Sequence, residues 1–354
     1  AILEDFVFAG GFFTQSGSQV LNNIALIDPF HPFGVSYLPL SSNGLNDSVN
    51  ALGIDAGQFL NNVIAAGNFT RNGDNTGEDL KRVVSYVIGA LGGRPDRPAS
   101  GTGPNPTLKP LGLPAGSTVN GPVNATAADP NGKVIVGGTF TKTADGATNL
   151  NRIARYDPAT QIWSPLANGG LNNNVEAMIV VGENLYVGGS FSATADGTVT
   201  NLNRIARYNL TTNTWSPVGN NGLFASFSFA PVSAFAVKDN ILYVGGEFSR
   251  TFDNTVTNLN NLAAYNLTTN TWSPFANFGT NASVNALAIV GDDLYIAGSF
   301  TRSFDNDYFL LRFTRFNLMT ETWFEVANSG LNSDARRMIV AGNYIFVNGY
   351  FSRT

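Results

Sequence analysis

"LYVGGSF" occupies residues 185–191, "LYVGGEF" 242–248 and "LYIAGSF" 294–300. One string rewritten about every fifty residues decides the architecture, because self-similarity at a fixed period is the signature of stacked repeats. The Phe that closes the string recurs as Phe13, Phe69, Phe140, Phe191, Phe248, Phe300 and Phe351, at intervals of 56, 71, 51, 57, 52 and 51 residues. Two residues before each stands Gly11, Gly67, Gly138, Gly189, Gly246, Gly298 or Gly349. Sixteen or seventeen residues after the Phe comes Tyr86, Tyr156, Tyr208, Tyr265 or Phe316. Seven further on, in the last four of these, comes Trp163, Trp215, Trp272 or Trp323.

Each unit reads as four short strands. In the unit ending near residue 276 they are "PVSAFAV", "ILYVGGEF", "NLAAYNL" and "TWSPF". The third and fourth are joined by the polar hairpin "NLTTNT", and the second and third by a longer polar loop. No segment carries a helical period of useful length. Four antiparallel strands in about fifty residues, six or seven times over, predict an all-β fold, a β-propeller of four-stranded blades forming one domain over residues 1–354. The Gly pair is expected to let neighbouring blades approach near a crowded axis, with Trp and Tyr filling the wider gap further out.

The joined motif "LYVGGSF…RIARYNLTTNTWSPV" (185–218) resembles the kelch repeat, in which a hydrophobic strand ending in Gly-Gly precedes a Tyr and then a Trp. The resemblance covers nearly the whole chain. It implies a propeller and leaves the role open, since kelch-like propellers serve many. The repeats are also similar to those of microbial and fungal cell-surface proteins of the Rax2-like type. Departures are Ala-Gly at 66–67 and 297–298, Asn-Gly at 348–349, and Tyr37 and Leu108 in place of the Trp.

Strand counting gives seven second strands against six each of the others, so the chain reads as starting and stopping on a second strand. Six blades are then expected, one closed by joining "ARRMIV" (335–340) to the N-terminal strands. Seven is the alternative if the missing strands lie outside the sequence. One second strand is left over, either "FVFAGGFF" (6–13) or "IFVNGYF" (345–351). A surplus strand would offer Phe6 and Phe8, or Ile345 and Val347, as an edge for pairing with another molecule.

Composition narrows the chemistry. Charged residues are 13% of 354, the formal charge is −5 and there is no Cys. General attraction to nucleic acid is not expected, and disulfides, thiolate metal sites and a Cys nucleophile are excluded. No run of eighteen apolar residues exists to span a membrane as a helix. The start, "AILEDFVFAGG", is not a signal peptide and reads as a mature or trimmed end. The lone His31 lies in a Pro-bounded turn, and no Ser-His-Asp set or Gly-x-Ser-x-Gly elbow is present. Catalytic residues and a required cofactor are therefore not expected.

One polar position recurs: Asp74, Asp145, Asp196, Asp253 and Asp305, each five residues after the Phe and followed by Gly or Asn. A turn role is the simpler reading; the other is an oxygen ring for Ca²⁺ or glycans, although calcium needs six to eight oxygens. Two insertions break the period, at 89–106 and 222–231. The second carries Phe224, Phe227 and Phe229, either a contact patch or rings tucked under a blade edge. Sequons fall at Asn46, Asn68, Asn124, Asn209, Asn266 and Asn281, and are candidate glycosylation sites if the source glycosylates. The leading expectation is a non-enzymatic extracellular propeller, a structural or adhesive module that self-associates or binds other surface proteins. A carbohydrate- or calcium-binding lectin-like propeller and a glycan-active hydrolase or lyase are the alternatives.

Overall fold

A computed structural model describes residues 119–354 except 158, 228–229, 327–329 and 342–343. Before residue 119 it describes the strands named below and residues 45–47. The chain divides into two compact units, Ala1–Leu166 and Ala167–Thr354.

The first unit holds three four-stranded antiparallel sheets. The first is β1 (Ile2–Leu3), β2 (Phe6–Gly10), β5 (Ile24–Asp28) and β6 (Ser36–Pro39), with the small ribbon β3 (Gln15–Ser16) and β4 (Gln19–Val20) between. The second is β7 (Val49–Asp55), β8 (Asn62–Gly67), β9 (Val83–Val87) and β10 (Thr107–Pro110). The third is β11 (Val123–Ala128), β12 (Val134–Gly138), β13 (Ile153–Asp157) and β14 (Ile162–Pro165). The second unit repeats the pattern: β15 (Val175–Val181), β16 (Asn184–Gly189), β17 (Ile205–Asn209), β18 (Thr214–Pro217); then β20 (Val232–Lys238), β21 (Ile241–Gly246), β23 (Leu262–Asn266), β24 (Thr271–Pro274); then β25 (Val284–Val290), β26 (Asp293–Gly298), β27 (Phe313–Asn317), β28 (Thr322–Phe324). A ribbon of β19 (Leu223–Phe224) and β22 (Arg250–Thr251) accompanies the middle sheet, and β29 (Ala335–Ala341) pairs with β30 (Tyr344–Gly349). First strands of successive sheets lie against each other within a unit, β7 with β11, and β15 with β20, β25 and β29 in turn.

The strand count needs one correction. Ile2–Leu3 pairs antiparallel with Phe6–Gly10, so the first sheet owns a first strand too short to show an alternating pattern. β2 is therefore an interior strand, bonded to β1 on one side and β5 on the other, and Phe6 and Phe8 do not form a free edge. The insertion 89–106 and His31 lie outside the described residues.

The Tyr-to-Trp spacing is a register. In each hairpin of strands three and four the two rings are directly opposed: Tyr156 with Trp163, Tyr208 with Trp215, Tyr265 with Trp272 and Phe316 with Trp323. Their centroids lie 4.7–4.9 Å apart, the range of favourable aromatic pairs. The indole N–H then reaches one repeat back. Trp215 donates to the Ala167 carbonyl and Trp272 to that of Gly219, both at 2.9 Å.

The Gly pair does two jobs. A Cβ on the first glycine would strike the next sheet's side chains: on Gly188 it would lie 2.6 Å from Val232 Cγ1, on Gly245 2.5 Å from Val284 Cγ1. A Cβ on the second would strike the backbone of its own sheet, 2.0 Å from the Asn174 oxygen at Gly189 and 2.4 Å from that of Pro231 at Gly246. That same carbonyl accepts the N–H of the residue after the glycine, Ser190 or Glu247. Side chains can yield and this backbone cannot, which is why the first glycine varies between repeats and the second does not. Where Ala297 replaces the first, the facing residue of the next sheet has shrunk to Ala335 in the same buried cluster.

Candidate interaction face

In an antiparallel sheet of order 1-2-3-4, the loop from strand two to three and the connector from strand four onward leave from the same end. The two are tied together here. The Phe252 N–H donates to the Gly222 carbonyl and that of Phe304 to the Gly279 carbonyl, both at 3.0 Å. Bridges join Leu171 to Thr194 and Thr280 to Ser303. Loops and connectors of the second unit thus build one face.

Three of the five repeated aspartates, Asp196, Asp253 and Asp305, sit at these loop tips; Asp145 stands in the matching loop of the first unit, and Asp74 lies outside the described residues. Oδ1 of Asp145, Asp196, Asp253 and Asp305 accepts from the hydroxyl two residues before (Thr143, Thr194, Thr251, Ser303) and the N–H two residues after. Oδ2 accepts from an Asn of the connector: Asn168 to Asp196 at 3.1 Å, Asn220 to Asp253 at 3.0 Å and Asn277 to Asp305 at 2.8 Å. All four aspartates close turns, and Asp196, Asp253 and Asp305 also latch loop to connector. Among the described residues no group of three or more His, Asp or Glu gathers as metal ligands would. Sequence reading missed the latching asparagines, although Asn after strand four is a signal: Asn168, Asn220 and Asn277 all take the left-handed backbone that Asn tolerates.

These bonds act on the carboxyls. The Thr198 N–H and the Thr194 hydroxyl hold Asp196 well below the usual carboxylate range. At Asp253 desolvation pushes upward, but the bonds from Thr255, Thr251 and Asn220 prevail and bring the carboxyl down to about 2. A depressed carboxyl contributes stability that is present above its unfolded pKa, near 4, and is lost as pH falls through the folded value. Lowering pH from about 4 to about 2 is therefore expected to loosen the Asp253 loop, while the Asp196 loop holds to lower pH. The exchange protection factor of the Thr255 amide would fall over that window; a constant protection factor would contradict the latch.

The insertion 222–231 is stapled from beneath. Arg204 donates from Nε to the Ala230 carbonyl at 3.0 Å, and from its two terminal nitrogens to those of Leu223 and Phe227 at 3.3 and 3.1 Å. Burial lowers its pKa. The Arg250 guanidinium covers the Phe224 ring at 3.6 Å. Phe227 is 72% exposed, and Phe229 lies outside the described residues. More aromatics stand on the same face. Phe252, Phe278 and Phe304 are 45%, 47% and 46% exposed and Phe309 is 56% exposed, with Arg302 over its ring at 3.9 Å. Ala195 and Gly169 occupy the matching places in the preceding sheet. Phe278 has φ of +59°, an uncommon conformation for a bulky residue.

The sequon residues mostly serve turns. The side-chain oxygens of Asn209 and Asn266 accept two N–H groups each in the strand three–four hairpin. That of Asn281 accepts from the N–H of Thr301 and Arg302. Asn124 lies in β11, Asn46 is exposed, and Asn68 is outside the described residues. At the C-terminus Ile345 and Val347 are half-buried, and Val347 packs on the Ala286, Ala297, Leu331, Ala335 cluster.

These sheets, with their Gly pair and opposed Tyr and Trp, define a kelch-type β-propeller fold. The KLHDC2/KLHL20/DRC7 Kelch-repeats domain matches residues 124–349, and the chain belongs to the kelch-repeat family. Such propellers are typically non-enzymatic modules of protein–protein interaction. A solved structure that is similar is the crystal structure of the computationally designed Ika8 protein, at 12% identity over 98% of this chain and 91% of that one, with a TM-score of 0.46. No curated protein matches the chain.

Proposed function

We propose that this chain is a non-enzymatic, extracellular structural or adhesive module that takes a protein partner on its loop-and-connector face. The observation that carries the reading is the set of exposed rings there, Phe227, Phe252, Phe278, Phe304 and Phe309. Scattered exposed apolar residues are ordinary, but a cluster on one face marks a contact surface. Aromatics and Arg are also what interaction hot spots are made of. An extracellular setting fits the low share of charge. Copies of the chain and other surface proteins are the partner classes that fit. The test is a photo-crosslinking residue placed at Phe309, compared with one at Met319, which is more exposed (72% against 56%) but lies in the strand three–four hairpin at the opposite end of its sheet. A defined protein adduct from position 309 alone is expected, lost when Phe278 and Phe304 become Ser. Adducts from 319 alone, or none from 309, would overturn the reading; a glycan trapped at 309 would favour the lectin alternative.

A further inference from the structure

One cavity in the second unit exists because two side chains are smaller than in the next repeat. Between the sheets containing β20 and β25, Phe275 fills the gap, 4.6 Å from Phe316, 5.7 Å from Trp323 and 6.1 Å from Tyr243. One repeat earlier Val218 and Gly219 stand where Phe275 and Ala276 stand. They leave about 280 Å³, lined by Tyr186, Arg207, Val218, Gly219, Tyr265 and Asn270.

The cation there lacks its usual counterion. At the same register position Arg155 pairs with Asp129 at 2.9 Å and Arg315 with Asp293 at 3.0 Å. Arg207 donates Nε to the Ser216 hydroxyl at 3.1 Å, and among the described residues it forms no ion pair. Asn184, neutral, replaces Asp293: it accepts from Asn209 as Asp293 accepts from Asn317. Burial pushes the Tyr186 and Tyr265 phenols above their ordinary value, and the Arg207 charge opposes this at both, so the three groups share one environment. A half-buried charge without a counterion is costly, and a ligand that supplies one is favoured.

We propose that this cavity binds a small carboxylate with a flat apolar body, the carboxylate on the Arg207 guanidinium and the body against Tyr186, Tyr265 and Val218. Arg presents a planar fork suited to carboxylate, and a mostly apolar cleft with few polar groups is the usual form of a small-molecule site. Sodium benzoate is the probe, with benzyl alcohol as its uncharged counterpart, followed by the ring resonances of Tyr186 and Tyr265. Saturable shifts are expected with benzoate and at least about tenfold weaker binding of the alcohol, the weight of a charge-assisted hydrogen bond. Arg207→Ala copies Ala264 of the next repeat and Val218→Phe copies Phe275, so both are expected to fold. Each should weaken benzoate about tenfold or more, as should Asn184→Asp, which restores an internal counterion. Absence of saturable shifts in the parent chain, or equal affinity in the parent and both folded variants, would overturn the proposal.

Discussion

Replacing Trp215 by Ala is expected to cost about 3–5 kcal/mol of folding stability, the range for removing a large aromatic from a packed core. Trp215 is 6% exposed and lies 4.7 Å from the Tyr208 ring. Its loss opens a void and leaves the Ala167 carbonyl without its 2.9 Å donor. Trp215→Phe keeps a ring and loses the N–H, so about 1–2 kcal/mol is expected. Urea unfolding followed by circular dichroism measures both. A loss under about 1 kcal/mol for the alanine variant would show that the opposed rings are not a stability centre.

Gly189→Ala is expected to cost about 3 kcal/mol or more, because the new Cβ would meet a backbone oxygen at 2.0 Å and no rotamer relieves that. Gly188→Ala is a contrasting case, since it meets Val232 Cγ1. Its cost of about 1–3 kcal/mol should largely disappear when Val232→Ala is added, as overpacking predicts. Ala297 facing Ala335 is the same exchange already present in this chain. Thermal melts of the two single variants and the double decide the point; strictly additive losses would show that the glycine does not serve the sheet-to-sheet approach.

Most of the strand pattern was legible because one packing problem is solved repeatedly and leaves the same letters each time. "ILYVGGEF", "NLAAYNL" and "TWSPF" became β21, β23 and β24 to within two residues at their ends. Ile2–Leu3 was not legible, since two residues cannot display a period of two. The face was half legible. Asp196 and Asp253 announced turns by the residues that follow them, whereas their asparagine latches lie 28 and 33 residues earlier in the chain. Spacing in sequence cannot show that Phe278, in a connector, stands beside Phe304, in a loop, because antiparallel topology brings them together. The cavity at Arg207 was hidden for another reason: it is a difference between repeats, and a search for likeness passes over it.

Each indole that binds one repeat back is also a reporter of its neighbour. The chain has four tryptophans, and Trp272 donates its N–H to the connector that leaves the preceding sheet. Its emission and proton exchange therefore register the integrity of the seam before it rather than of its own strand. In a stack whose stability resides in such nearest-neighbour seams, single-tryptophan variants would resolve unfolding into a sequence of local openings, each timed by a different indole, and the direction in which the stack unzips would be read without any added label.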